Sequence, residues 1–281
     1  MHPAEPITPC WLAALALDFE RRGAATVLAG RKHHGPLRVQ KALYPEGAEV
    51  CHAIVLHPPA GIAGGDRLQI NAIAGAEVHV LLTTPGAGKW YRSSGACAEH
   101  AVTIKVGAGG TVEWLPQESI LFNGAETNMR TTVELATDAR FIGVETLCFG
   151  RRASGESFDK GSVRLGTDIR IEGIPLWRER GMIEGGSALM DSPAGLAGYS
   201  VCSTVFAAGS DIPSETLAAC RQVAVTETDS HAGISAMPKL FVGRYLGHSP
   251  EAARQWFVEL WRHLRPALLR REMVVPRIWH T

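Results

Sequence analysis

The chain has 281 residues, with 28 Lys plus Arg against 28 Asp plus Glu and a sequence pI near 7.2. That balance supplies no overall positive field for a nucleic-acid backbone or an anionic membrane surface. The chain is long enough to bury a substantial core without staples, and no apolar run approaches the 18 or so residues that a membrane-spanning helix needs.

Thirty glycines imply many turns and close backbone approaches rather than long helices. The six cysteines, Cys10, Cys51, Cys97, Cys148, Cys202 and Cys220, form no CxxC pair. They suggest neither a zinc knot nor a disulfide framework, and the expectation is a reduced cytoplasmic protein. Residues 11–19 are apolar, but Glu5 precedes them and no basic segment does, so they do not read as a secretory signal.

In chain order, residues 11–19 (WLAALALDF) alternate apolar side chains at every second position, which predicts an amphipathic strand with 26–28 as its return partner. Further strand-like runs are 37–43, 50–56, 67–74, 78–83, 98–106, 111–115, 129–135, 141–148 and 162–171. Two more follow at 199–207 and 222–226. Glycines such as Gly47, Gly75, Gly107, Gly109, Gly110 and Gly124 punctuate them. Short strands between glycine turns, without intervening helices, predict a mainly β stack rather than a doubly wound sheet. Two helices interrupt the pattern. One is 213–220. The clearer is 250–271, where Ala253, Phe257, Leu260, Leu264 and Leu268 form a stripe widened by Trp256 and Trp261. Pro266 predicts a kink or a second segment there, the prolines after 271 predict an extended tail, and 184–198 is the best hinge. No repeat unit or linker divides the chain, so one domain over 1–281 is expected.

The chemical motifs are mostly negative. GIAGGD (61–66) has the glycines of a phosphate loop but ends in Asp66, which would repel phosphate; GAGKW (86–90) lacks the hydroxyl residue and upstream spacing. No GxSxG elbow marks a nucleophile, Glu113 and Glu118 do not locate a glycosidase pair, and neither HExxH nor an EF-hand loop is present. His33 and His34 are adjacent, so their side chains diverge on a strand. Lys89, Trp90, Tyr91 and Arg92 form a basic aromatic turn of the kind that anchors an interface or packs a sheet rim.

Six segments together carry a resemblance: HPPAGIAGGD (57–66), TTPGAGKWYRS (83–93), EWLPQESILFNGA (113–125), GLAGYS (195–200), FVGRYLG (241–247) and PRIW (276–279). In this order, across nearly the whole chain, the sequence resembles the urease accessory protein D family, called H in some organisms. The resemblance implies a stacked, helical arrangement of β-strands with a few α-helices and no catalytic activity of its own. It implies a cytoplasmic scaffold for urease maturation that binds urease subunits and accessory protein F, and accessory protein G, a GTPase, through F. No tightly bound cofactor is implied, only transient nickel passing through an internal polar route. Candidate passage or interface residues are Asp66, Lys89, Trp90, Tyr91, Arg92, Glu118, Glu179, Arg180, Asp191 and Arg244, with Arg92, Arg180 and Arg244 available to pair the acids. Arg277, Ile278 and Trp279 would anchor the tail. Ala60 and Gly88 depart from the family pattern: the first stiffens its turn and the second loosens its loop. A closed pocket joining His, acid and nucleophile would favour a hydrolase on a β framework instead, and partner surfaces without a passage a purely structural protein.

Overall fold

The computed structural model describes residues 10–59 and 61–280. Ala60 and its expected effect on the turn lie outside the described residues. The strands in chain order begin with β1 (Leu12–Arg22), β2 (Ala25–His34), β3 (Arg38–Leu43), β4 (Val50–Leu56), β5 (Arg67–Ala74) and β6 (His79–Thr83). Next come β7 (Gly88–Trp90), β8 (Ala98–Val106), β9 (Thr111–Leu115), β10 (Ser119–Leu121), β11 (Glu126–Leu135) and β12 (Arg140–Phe149). The last five are β13 (Ser162–Ile171), β14 (Ile174–Glu184), β15 (Val201–Ala208), β16 (His231–Met237) and β17 (Leu240–Gly247). The helices are α1 (Ala188–Asp191), α2 (Ser214–Arg221) and α3 (Pro250–Leu269).

Two sheets stack face to face. The first has the order β14-β13-β11-β8-β5-β1-β2, and the second β16-β17-β15-β12-β9-β6-β4-β3. From β4 to β13 the long strands alternate between the sheets, and within each sheet successive members pair in parallel. The chain therefore winds as a solenoid-like coil, which is the expected stacked helical arrangement of strands.

The alternation read from the sequence fixes which side faces in. Leu15, Leu17, Ile70, Ala72, Val102, Ile104, Val133 and Val163 point inward and are buried, with alanine between them on β1 and polar residues beside them on the other strands. On one edge of the coil, four-residue turns join the sheets at 75–78, 107–110 and 136–139, and they stack by backbone bonds such as Gly107 N–H to Ala74 O and Ala136 N–H to Val106 O. A side chain on Gly107 or Gly110 would meet turn backbone at 2.8 Å, so these stacked corners need glycine. On the opposite edge the connections are long.

Helix α3 covers the outer face of the second sheet. Its stripe (Ala253, Trp256, Phe257, Leu260, Trp261, Leu264, Leu268) packs on Phe241, Tyr245, Val205 and Ile142 as a second core cluster. Ser249 caps its first turn by accepting a hydrogen bond from Ala252 N–H.

Several expectations are corrected. Residues 222–226 form no strand; they follow α2 irregularly, with Val223 and Val225 half-buried against the second core. Helix α3 runs through Pro266 without a second segment and ends at Arg270 in the left-handed conformation. The tail is not wholly extended, since Arg277–His280 form a 3-10 turn. The hinge segment 184–198 holds the short α1 and a series of hydrogen-bonded turns. Strands β7, β10, β14, β16 and β17 were not read from the sequence. Two are three residues long, and β14 and β16 are edge strands with broken alternation.

Candidate functional site

The long edge of the coil carries three of the motif segments singled out in the sequence. They occupy equivalent positions on successive turns of the coil: 57–66 between β4 and β5, 84–97 around β7, and 116–125 around β10. They lie against one another through backbone bonds: Ile62 N–H to Lys89 O, Tyr91 N–H to Ile62 O, Gly88 N–H to Glu118 O and Phe122 N–H to Trp90 O. Gly61 is required because the Tyr91 ring occupies the space a side chain would take. Tyr91 in turn stacks edge-on against Phe122.

Asp66 closes the first of these corners. It is 1% exposed, and its two carboxylate oxygens accept from Trp11 N–H and Ala63 N–H, both at 2.8 Å. It is therefore a latch in the loop and does not line the interior as expected.

Beneath the long edge, between the sheets, lies a cavity of about 400 Å³. Lys89, Gly88 and the 84–87 loop stand at one side, and Trp90, His57 and His100 form part of its wall. Glu145 of β12, Thr131 of β11 and Thr167 of β13 also line it. The register places these groups in two facing polar rows. On one sheet Thr131 pairs with Thr167 and Thr167 with Glu179; on the other Glu145 pairs with Thr204 and Thr204 with Arg244. The rows are tied together at their far end by an ion pair between Glu179 and Arg244 at 2.7 Å. Gln117, Ser119, Arg130 and Thr146 line it too, and Val102, Met129, Phe141 and Phe206 are among its apolar members.

The wall has unusual electrostatics. Burial pushes the Glu145 carboxyl up to about 7, with Glu179 adding repulsion and Arg244 only partly opposing it. Burial lowers His100 to about 4, aided by His57, and lowers His57 against the pull of Asp66. Both imidazoles are thus neutral at physiological pH, with a lone pair available. The His57 Nε2 and Trp90 Nε1 atoms are buried without a protein partner. The cavity therefore offers neutral nitrogen donors and a protonatable carboxyl to a polar guest.

The remaining predicted residues scatter. Glu118 is half-buried beside a smaller cavity that also touches Gln117, Arg254 and Trp279. Arg92 is exposed and lies over Gly124. Arg180 pairs with the Asp168 carboxylate and donates to the Glu179 backbone carbonyl, not to its carboxylate, and Asp191 is exposed on α1. Trp279 anchors the tail by donating to Thr83 Oγ1 at 2.8 Å while its ring meets Phe257 and Trp261.

A matching profile of the family described as UreD urease accessory protein covers residues 12–280. The chain belongs to that family. It is 53% identical over all its 281 residues to the urease accessory protein UreD of Azoarcus sp. (strain BH72), covering 97% of that protein. It is also 53% identical over 277 residues to the protein of the same name from Dechloromonas aromatica (strain RCB), covering 98% of this chain and 96% of the other. A third, from Nitrosococcus oceani, is 47% identical over 271 residues, covering 96% and 90%. The family name connects the chain to urease maturation, and the three loop motifs that carried the resemblance are the stacked edge above the cavity.

Sequence reasoning missed Glu145, Thr131, Thr167, His57 and His100 as cavity groups. A carboxylate at the inward position of an otherwise apolar run, IGVETL, was the available signal for Glu145. His57 heads the HPPAGIAGGD motif and could be read there as a partner of Asp66 in one site, whereas nothing in the spelling points to His100. It also missed a buried ionic network behind the cavity. Glu113, fully buried, accepts from Trp261 Nε1 at 2.6 Å, contacts His79 at 2.7 Å and pairs with Arg265 at 3.1 Å. Arg265 also binds Glu46 at 2.7 Å, and Glu46 contacts His52 at 2.6 Å. No helix among the described residues is long and apolar enough to cross a membrane.

Proposed function

We propose that the chain is a non-catalytic cytoplasmic scaffold that holds apo-urease and accessory protein F together. Nickel, brought by the accessory G GTPase through F, crosses the chain interior on its way to the urease active site. The observation that carries this reading is the inter-sheet cavity, with its neutral histidines, Glu145 and facing threonine rows. Nickel is a borderline cation that takes imidazole nitrogen and carboxylate oxygen. Separate, weak donors suit transit: each additional 1.4 kcal/mol of affinity slows escape about tenfold when entry is unchanged. A proton on Glu145 would lower the affinity at that point, and its loss would restore it. GTP hydrolysis belongs to the partner in this scheme, in keeping with a glycine loop that ends in Asp66.

The test is a plug. Gly88 borders the cavity, and a side chain built there meets Ser119 and Trp90 only at ordinary contact, 3.8 Å. Gly88→Phe is expected to leave capture of urease and accessory F intact while urease activated in its presence contains less nickel, measured per active site by elemental analysis. Normal nickel loading with the plug in place would sink the passage reading. Loss of capture of both proteins by the unaltered chain would sink the scaffold.

A further inference from the structure

We propose that β14 is a docking edge that takes up an extended, acidic segment of a partner protein as an added strand. Its identification as a protein segment rests on the scaffold reading above; the geometry is independent of it.

Among the described residues β14 pairs only with β13, so one side of its 11-residue backbone ladder is open. Long open edges recruit other strands unless they are blocked. The other edges are treated differently. On β2, Arg31, Lys32, His33 and His34 are consecutive and exposed. The β3 edge is capped, because Arg31 Nη1 donates to the carbonyls of Val39 (2.7 Å) and Gln40. The β16 strand is shorter, seven residues, and α2 packs near it, as α1 packs near β14.

On β14 a similar contact covers one carbonyl, since Arg180 Nη1 donates to Glu179 O at 2.6 Å, and Pro175 offers no N–H near the strand's start; among the described residues no strand pairs the rest of that side. Arg178 and Arg180 fold back over the outer sheet face onto Asp168, at 3.2 and 3.4 Å, where Arg170 joins them at 2.9 Å. The Asp168 side chain is 6% exposed while the three arginines are 33–53% exposed, so the surface presents guanidinium groups over a covered carboxylate. Glu134 reaches only Arg170, at 3.6 Å. Three cations against two anions leave a positive flank, already ordered by Asp168, so less side-chain entropy is lost when a ligand binds. Met182 (44% exposed) continues the same outward row, which ends at the exposed acid Glu184, and Ile174 (71% exposed) stands at the strand's start.

A strand added beside β14 places its side chains about 4.5–5.5 Å from those opposite. Carboxylates at two alternate positions would then meet Arg178 and Arg180, with an apolar residue two positions further on against Met182. Backbone bonds would supply affinity and the alternate side chains specificity.

The experiment is hydrogen–deuterium exchange of the full chain, alone and mixed with purified apo-urease or purified accessory protein F. One of the two is expected to slow exchange of the amides of residues 176–184. The double variant Arg178→Gln, Arg180→Gln, which retains polar groups for Asp168, is expected to weaken that capture about tenfold and flatten its salt dependence, while Lys32→Gln on the opposite edge leaves it unchanged. Complex formation with β14 exchange unaltered overturns the proposal and leaves the scaffold reading standing. Capture of neither protein overturns both. Protection of the same amides by a 20-base-pair DNA duplex, and by neither protein, also overturns it and names a different occupant.

Discussion

At the scale of the residue, the buried ionic network and the cavity carboxyl have opposite pH signatures. Glu113 is pushed toward neutrality by its burial, but the His79 hydrogen bond and the charges of His79 and Arg265 outweigh that, and its pKa is lowered. Glu46 behaves alike: burial opposes ionisation, His52 and Arg265 overcome it, and the group falls to about 2. Stability from these lowered carboxylates is fully present above their ordinary value of 4.5 and is lost as pH falls, for Glu46 through about 2. Removing one partner strands a buried charge, so Arg265→Ala is expected to cost about 3–5 kcal/mol in urea unfolding at neutral pH. A loss under 1 kcal/mol would show that the network is dispensable. Glu145 runs the other way. The folded protein keeps its proton up to about 7, whereas an unfolded chain gives it up near 4.5, so its contribution is greatest below 4.5 and is lost as pH rises through 7. Glu145→Gln is therefore expected to raise Tm relative to the native chain more at pH 8 than at pH 5. An equal difference at both values would contradict the burial argument.

At the scale of the element, α3 shows how much of a helix its own spelling determines. The stripe from Ala253 to Leu268 was legible because apolar residues recur at three and four positions, and its buried side matches that stripe. What periodicity could not supply was the role of Arg265. It stands four residues after Trp261 on the buried side, a place where a cation survives only with partners, and those partners come from β9 and the 44–49 loop, far away in sequence. Pro266 starts no second segment: Leu264 and Leu268 on either side of it belong to the one stripe packed in the second core. Two measurements belong to this element. Ser249→Ala removes the cap and is expected to cost about 1 kcal/mol. Leu260→Ala opens a cavity at the fully buried centre of the stripe and is expected to cost about 3 kcal/mol. If the cap outweighed the core leucine in chemical denaturation, the helix would owe its stability to its end rather than its packed face.

At the scale of the whole molecule, the second sheet is shared. Its inner face belongs to the core between the sheets and its outer face to the core under α3. The shared sheet couples the two cores, so the helix layer and the coil are expected to unfold together. Fluorescence of the α3 tryptophans and far-UV circular dichroism should report one coincident transition. Two separated midpoints would show that α3 detaches first. The coil also explains why three unlike loop motifs behave as one feature: the tight turns on one edge set a common rise for each turn of the coil, which brings the long connections into contact on the other.

The sequence alone determined the alternation of the strands, the glycine corners, the α3 stripe and, through its ordered motifs, the family. These are local or linear properties, and period 2, period 3.6 and a turn glycine can be read from neighbours in the chain. Only the tertiary structure decided that Asp66 is a loop latch, that His57, His100 and Glu145 face one cavity, and that β14 ends a sheet with an open ladder. Each of those depends on which strand lies beside or opposite which. The winding of the coil sets that arrangement across tens to hundreds of residues, and no short-range pattern in the chain carries it.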